Sequence, residues 1–223
     1  MPVCPLDFRY GRPEMKAIFD EENRLQRLLD VEAALALAQA KVGNIKQDHA
    51  DIIKKTATTR YVKLERVQEI DRKINHEITA IIRVLSEQCG ESGKFVHVGA
   101  TSNDMLDTAQ ALQIRDAIVL LERDLESLKK TLAARAKEHR DTIMVGRTHG
   151  QYALPITFGL KLANYALETH RHIQRLRECA PRILVGKMSG AVGTGAGFGP
   201  KAVDIQKAVM EQLGLGVEEG PTQ

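Results

Sequence analysis

A long apolar stripe between residues 101 and 139 constrains the fold more than any other feature of the chain. Its members recur at or near helical spacing: Leu106, Leu112, Ile118, Leu121, Leu125, Leu128 and Leu132. Apolar residues spaced in this way share one face of an α-helix. The predicted helix is far longer than the mean of about 11–12 residues in globular proteins. The stripe therefore predicts a long helix within an extended helical bundle.

Shorter segments with the same periodicity lie on both sides of the long stripe. They predict helices over residues 21–42, 48–57, 62–89, 156–177 and 201–213, with a possible break at Asn75-His76 in the third of these. Aromatic residues make up only 4% of the chain and tryptophan is absent, so aliphatic side chains must fill the core. The pattern predicts an all-α fold, with a small helical domain over residues 1–95 followed by the first part of a long-helix bundle over residues 96–223.

The charge balance and the cysteines exclude several classes of protein. With 32 basic and 29 acidic residues, the net charge of +3 argues against a nucleic-acid or membrane partner. Cys4, Cys89 and Cys179 are odd in number and widely spaced, which predicts neither a disulfide framework nor a metal site. We find no pattern of a signal peptide and no apolar run near the ~20 residues that span a bilayer. A reduced cytoplasm is the expected location.

Polar residues at the predicted start of the long helix are the first candidate ligand site. The hydroxyls of Thr101 and Ser102, with the backbone N–H groups of residues 101–103, are suited to hold a carboxylate beside Asn103, and the helix dipole favours negative charge there. Plain helix capping explains the same residues and is the more common role.

Two histidines stand out by their neighbours. His149 lies between Thr148 and Gly150, after a β-prone run and shortly before a predicted helix. A lone histidine is more often structural, but the adjacent glycine and helix start favour a proton donor presented to a ligand. His76 lies within an otherwise apolar-striped segment, and its residue pattern alone favours a structural role.

A glycine-rich segment over residues 186–199 is the third candidate. It lacks both the dinucleotide-binding and the P-loop spacing. Two interpretations explain the segment equally well. Its glycines allow a tight backbone path past a ligand, with Lys187 and Ser189 as polar contacts, or the segment is a flexible connector. Near the N-terminus, the guanidinium of Arg9 beside Tyr10 is suited to a phosphate, although a surface pair is the commoner outcome.

Taken together and in this order, six segments resemble the adenylosuccinate lyase family of the fumarase/aspartase superfamily. The resemblance covers nearly the whole chain. The matching segments are Phe-Arg-Tyr-Gly (8–11), Asn-His-Glu-Ile (75–78), Gly-Ala-Thr-Ser-Asn-Asp (99–104), Gly-Arg-Thr-His-Gly (146–150), Gly-Lys-Met-Ser-Gly-Ala-Val-Gly-Thr (186–194) and Thr-Gln (222–223).

The resemblance implies an enzyme that eliminates fumarate from adenylosuccinate, giving AMP, and from the succinocarboxamide ribotide of purine biosynthesis. It implies no cofactor and no metal, and a homotetramer with active sites built from several chains. The implied catalytic residues are His149, as the general acid, and His76. The implied substrate-binding residues are Arg9, Tyr10, Thr101, Ser102, Asn103, Thr148, Lys187, Ser189 and Gln223.

The chain departs from the family pattern in two places. Tyr152 replaces a histidine that many members carry two residues after the glycine. The family's serine-bearing loop, Ser-Ser-x-Met-Pro-x-Lys-x-Asn, is not found in residues 1–223, so we expect this chain to be part of a longer protein and inactive alone. The alternatives are another lyase of the superfamily, such as argininosuccinate lyase, or a non-catalytic helical module for oligomerisation.

Overall fold

The structure, a computed structural model, describes residues 10–221, so Arg9 and Gln223 lie outside the described residues. It contains helices α1 (Pro13–Ile18), α2 (Glu21–Lys41), α3 (Gln47–Thr56), α4 (Leu64–Ile74), α5 (Glu77–Cys89), α6 (Ser102–Glu138), α7 (Phe158–Ile183) and α8 (Ala202–Leu213). Short 3₁₀ helices span Gly90–Phe95 and Ala196–Lys201, and the strands are β1 (Ile143–Thr148), β2 (Gln151–Thr157), β3 (Val185–Gly186) and β4 (Gly216–Val217). The predicted helical fold is confirmed.

The chain forms two compact units. Among the described residues, the first comprises those up to Asp116 together with those from Arg182 onward, and the second comprises Ala117–Pro181. The sequence-based boundary between residues 95 and 96 stays a prediction.

The core of the first unit surrounds α2. One face of this helix is almost entirely buried, and it packs against α3 and α8. The predicted break at residues 75–76 is present: α4 ends at Asn75 in the left-handed conformation, and His76 begins α5 as its N-cap. Two short helices therefore replace one long one, and the break puts His76 at a helix start.

The last part of the chain returns to this first unit. After α7, Val185-Gly186 pairs in parallel with Gly216-Val217, on either side of α8. Gly186 has no room for a side chain, because an added Cβ would lie 2.6 Å from the sulfur of Met210 and 2.9 Å from a methyl of Thr108. This close packing fixes where the glycine-rich segment begins.

The second unit consists of the latter part of α6, a β-hairpin and most of α7. The hairpin β1–β2 is antiparallel, with Thr148 opposite Gln151, so that His149 and Gly150 form a two-residue turn. The start of α7 packs on the end of α6, where the backbone N–H of Gly159 donates to the carbonyl of His139 at 2.9 Å. The hairpin was not predicted from the sequence. Within residues 10–221, no helix is both long and apolar enough to cross a membrane.

Candidate functional site

The start of α6 is built as a capped helix terminus. The Asp104 carboxylate accepts a hydrogen bond from the backbone N–H of Thr101 at 3.0 Å, and the N–H of Asp104 donates to the Thr101 carbonyl. An acid three residues after the capping position reaches back in the manner of a capping box. Thr101, Ser102 and Asn103 remain half-buried, so their hydroxyl and amide groups retain access to a small ligand.

The same carboxylate also holds the glycine-rich segment. Asp104 is fully buried, with 0% exposure, and it accepts from the N–H groups of Ser189 at 3.0 Å and Gly190 at 2.9 Å. Burying a carboxylate is unfavourable unless hydrogen bonds or opposite charge compensate it. We call this arrangement of Asp104, the helix start and the glycine-rich segment the Asp104 junction. It brings together five predicted residues: Thr101, Ser102, Asn103, Lys187 and Ser189.

Lys187 is the cation of the Asp104 junction. Its side chain is only 2% exposed, and its Nζ lies 3.7 Å from Asp104 Oδ1 and 4.0 Å from Asp107 Oδ2. Within the described residues, Lys187 Nζ and Ser189 Oγ are buried without a hydrogen-bond partner. Such atoms are rare in folded proteins and call for an explanation. Two orphaned donors beside a helix start favour a ligand site over a flexible connector.

Two glycines allow the backbones of the junction to approach one another. An added Cβ on Gly99, whose φ is +79°, would lie 2.7 Å from the carbonyl oxygen of Gly197 and from the ring of Phe198. A Cβ on Gly197 would in turn lie 2.9 Å from the carbonyl oxygen of Gly99. Gly99, before the start of α6, and Gly197, in the glycine-rich segment, are therefore needed for close backbone packing.

A cavity of about 180 Å³ lies next to the junction. Its lining includes Ser189, Thr194 and Gln206, together with residues 218–221. Gln206 also receives a hydrogen bond from the N–H of Met188 at 2.9 Å, which holds the segment in place. The cavity is large enough for a small polar group of a ligand.

His149 is presented by the turn of the exposed hairpin. Its φ of +52° and that of Gly150, +72°, are both positive, as a two-residue type I′ turn requires. Histidine is among the few residue types that adopt this region at modest cost. Thr148 and His149 are exposed, and Arg147 lies over the ring of Tyr152 at 5.2 Å. Pro155 was expected from the sequence to begin a helix, but that helix begins three residues later, at Phe158.

His76 is oriented by the helix that it caps. Its Nδ1 accepts from the backbone N–H of Thr79 at 3.2 Å and lies 3.0 Å from the Thr79 hydroxyl. Because Nδ1 is an acceptor, the ring proton of neutral His76 resides on Nε2, the side directed away from the cap. The next residue, Glu77, forms a two-point ion pair with Arg24 of α2. Within the described residues, no hydrogen bond links His76 to the Asp104 junction.

A histidine close to the junction, His97, was not predicted from the sequence. His97 precedes Thr101 by four residues, and its Nδ1 lies 2.6 Å from Oε1 of the buried Glu32. Burial lowers the pKa of His97, but the hydrogen bond and the charge of Glu32, with a contribution from Asp104, raise it above the ordinary value overall. The hydrogen bond to Glu32 and the negative charges of Glu32 and Asp104 thus outweigh the cost of burying the imidazolium.

In the backbone, positive φ angles occur at His97 and His149 and directly before His76. Within residues 10–221, the residues other than glycine with positive φ are Asn75, His97 and His149. Strained backbone of this kind concentrates at functional sites. Each of the three positions either is a candidate histidine or directly precedes one.

The remaining predicted residues are less defined. Tyr10 is largely exposed ahead of α1, while Arg9 and Gln223 lie outside the described residues. Among the described residues, no three His, Cys, Asp or Glu side chains are grouped so as to hold a metal ion.

Comparison with known proteins identifies the class. A family model described as Lyase matches residues 7–222, so the chain belongs to this lyase family. The adenylosuccinate lyase of Pyrococcus abyssi is 55% identical over 215 residues, which are 96% of this chain and 48% of that protein. The chain thus spans about half the length of the curated relatives that it matches.

Two further relatives show the range of the family. The N-acetyl-S-(2-succino)cysteine lyase of Dickeya dadantii is 43% identical over 206 residues, which are 92% of this chain and 45% of that protein. The crystal structure of a fumarate lyase from Mesorhizobium sp. BNC1 superposes with a TM-score of 0.89 at 42% identity, covering 95% of this chain and 51% of that one. The resemblance inferred from the sequence motifs is confirmed.

Proposed function

We propose that this chain provides residues for an adenylosuccinate lyase reaction, the elimination of fumarate from adenylosuccinate to give AMP. By the same chemistry, the enzyme would release fumarate from the succinocarboxamide ribotide of purine biosynthesis. The observation that carries the proposal is the Asp104 junction, where a helix start and a buried lysine with no hydrogen-bond partner converge. Similarity to the lyase of Pyrococcus abyssi supports the choice of substrate.

The junction suits the two carboxylates of a succinyl group. The N-terminus of α6 offers partial positive charge and the hydroxyls of Thr101 and Ser102, with Asn103 beside them. Lys187 supplies a full charge from a buried position, where electrostatic attraction is stronger than in water. Ser189 and Gln223 complete the proposed contacts.

The reaction requires a proton to leave carbon and another to reach nitrogen. A base removes the proton next to one carboxylate, and negative charge accumulates on that carboxylate as an aci-carboxylate. The carbon–nitrogen bond then breaks, forming the double bond of fumarate, and an acid protonates the departing nitrogen. Lys187 and the α6 dipole would stabilise the accumulating charge. His149 would donate the proton to nitrogen, with Thr148 beside it, and His76 would orient the substrate.

The nucleotide part of the substrate is assigned to the N-terminus of the chain. Arg9 and Tyr10 would hold its phosphate, since a guanidinium matches phosphate geometry with paired hydrogen bonds. This assignment distinguishes the proposed substrate from argininosuccinate and from S-succinocysteine derivatives, which carry a succinyl group but no phosphate.

The exposed apolar surface of the second unit supports self-association. On its hairpin, Tyr152 and Leu154 are 76% and 79% exposed, and further large apolar residues are exposed on its helices: Val119, Leu121, Leu128, Leu160, Tyr165 and Leu167. Extensive apolar exposure is typical of protein interfaces. We propose a homotetramer with composite sites, located in the cytoplasm.

The proposal is tested by fumarate release from adenylosuccinate and from N-acetyl-S-(2-succino)cysteine, using the protein at its natural length. We expect turnover of adenylosuccinate. Arg9→Ala should weaken AMP binding by roughly ten- to hundredfold, because a charge-assisted hydrogen bond contributes about 1.5–3 kcal/mol. Fumarate binding should be nearly unchanged.

The matched control is Arg12→Ala, which removes an exposed arginine that pairs with Glu14. It should leave AMP binding within twofold. If Arg9→Ala weakens fumarate as much as AMP, or if AMP does not bind at all, the nucleotide substrate is wrong and another lyase reaction of the family replaces it.

A further inference from the structure

Glu32 is a buried acid within the apolar face of α2. It is 2% exposed and is surrounded along the helix by buried residues such as Leu28, Leu29 and Leu35. A carboxylate in such a position destabilises the fold unless a cation or hydrogen bonds compensate it. None of the roles described above for the lyase reaction uses this residue.

Two polar side chains of α2 hold the turn that leads into the Asp104 junction. Glu32 contacts the His97 ring at 2.6 Å, and Gln39, seven residues later on the same face, donates its amide to the Val98 carbonyl at 2.9 Å. Gln39 in turn accepts from the side chain of Asn44 at 2.6 Å. The turn is therefore held from α2 at two consecutive residues.

The contact with Glu32 determines how the His97 ring is presented. Its Nδ1 faces the carboxylate, so Nε2 is the opposite edge of the ring. The His97 side chain is 15% exposed, which leaves part of the ring accessible. The second oxygen of Glu32 is buried without a hydrogen-bond partner among the described residues, so its charge is compensated mainly through His97.

We propose that Glu32 is a positioning residue of the lyase site, which holds His97 as an imidazolium so that its Nε2–H donates to an anionic oxygen of the substrate. This inference rests on the proposed function, because it places the same substrate at the Asp104 junction. The anionic oxygen belongs either to a carboxylate of the succinyl group or to the phosphate.

The charged groups around His97 support the imidazolium. Glu32 faces it from α2 and Asp104 acts on it from α6, and together they raise its pKa although burial opposes them. Because the folded-state pKa is raised, the charge is present at low pH and is lost as pH rises through that value. Substrate binding through His97 should therefore weaken on the alkaline side.

The test replaces Glu32 by glutamine, which keeps the size of the side chain and removes its charge. In the natural-length protein, E32Q should raise KM for adenylosuccinate about tenfold at neutral pH, the loss expected for one charge-assisted hydrogen bond. The increase should be smaller at pH 6, where the imidazole is more readily protonated, and kcat should stay within about threefold. E32D should restore part of the loss, and E22Q, at an exposed position of the same helix, should change nothing.

Repeating the E32Q substitution in a variant that lacks His97 distinguishes a positioning role of Glu32 from a purely structural one. In H97Q, adding E32Q should change KM by less than twofold, since the residue through which Glu32 acts is gone. An equal effect of E32Q in both backgrounds, or an effect independent of pH, would overturn the proposal.

NMR of the His97 ring tests the pair without turnover. In the unsubstituted protein, the ¹³Cε1 resonance should titrate above the ordinary imidazole value, and E32Q should lower that pKa. Titration with inorganic phosphate and with fumarate identifies the ligand group by which of them shifts this resonance. A resonance that titrates at or below the ordinary value, or that responds to neither anion, contradicts the inference. If adenylosuccinate is not turned over but the resonance behaves as expected, the proposed substrate fails and the pairing stands.

Discussion

The Asp104 junction and the His149 hairpin present reactive groups in opposite ways. At the junction, a carboxylate with 0% exposure fastens two segments through backbone N–H groups and lies near a buried lysine. At the hairpin, an exposed histidine is placed by the dihedral angles of a two-residue turn, on strands whose side chains are mostly exposed. The first arrangement depends on tertiary burial and the second on local backbone conformation.

The contrast shows that the groups of the Asp104 junction depend on burial within the first unit, whereas His149 does not depend on burial. Binding groups must hold a charged substrate at rest, and burial gives them strong electrostatics and fixed geometry. The proposed proton donor, His149, would have to reach the departing atom, and an exposed turn keeps its ring accessible. Substitutions at the junction should therefore alter stability and activity together, while substitutions at the hairpin tip should alter activity alone.

The largest expected effect is on turnover at the hairpin. In the natural-length protein, His149→Ala should lower kcat by about 10²–10⁴, the range for loss of a general acid. Its melting temperature should barely change, because the side chain is exposed and no hydrogen bond or ion pair of His149 was found within the described residues. Steady-state kinetics and thermal unfolding measure the two quantities.

The matched substitution is His170→Ala, at an exposed position of α7 in the same unit. It should be nearly silent in both measurements. Equal losses of turnover in the two variants would remove His149 from the catalytic role.

The next largest effect is on stability at the junction. Asp104→Ala leaves three backbone N–H groups and the Lys187 charge without their buried partner. We expect a loss of about 3–5 kcal/mol in the free energy of unfolding, as for breaking a buried ion pair. Denaturant titration measures it. Asp204→Ala, at an exposed acid in the first turn of α8, should cost no more than about 0.5 kcal/mol. Comparable losses in both variants would refute the structural role of Asp104.

A smaller effect on the free energy of unfolding should distinguish the cost of close packing at a glycine from the cost of its left-handed backbone. Gly43 and Gly99 have nearly the same φ, +83° and +79°, but an added Cβ meets nothing within 4 Å at Gly43 and two groups at 2.7 Å at Gly99. Gly43→Ala should cost about 1–2 kcal/mol, the usual penalty of left-handed backbone. Gly99→Ala should cost a further 1–3 kcal/mol, as overpacked sites do. The comparison by chemical unfolding fails if both variants are destabilised equally.

The helices could be predicted from the sequence because each carries its own apolar period. The stripe from Leu106 to Leu132 needs no knowledge of its neighbours, and the observed α6, Ser102–Glu138, follows the predicted range closely. The hairpin was harder, since its strands are short and one contains Pro155. Its turn was readable in principle, because a histidine followed by glycine suits the two positive φ angles of a type I′ turn.

The buried polar contacts were predictable only in part. Lys187 and the residues 101–103 were identified by motif, but their meeting through Asp104 depends on packing that no local pattern encodes. Two signals were nonetheless present. Asp104 stands at the capping-box distance from Thr101, and Glu32 interrupts the apolar stripe of α2. The partner of Glu32, 65 residues away, could not be found from spacing.

The long sequence separation within the junction has a consequence for how the chain acquires its fold. Asp104 bonds to residues 85 and 86 positions later, whereas its bond to Thr101 spans only three. At translation rates of about 5–20 residues per second, several seconds separate the emergence of these partners from the ribosome. The helix start is therefore synthesised first, and Asp104 can accept from Ser189 and Gly190 only after the glycine-rich segment has emerged. A ligand that engages both segments binds only the finished state, so its presence during refolding should draw the equilibrium towards that state by mass action.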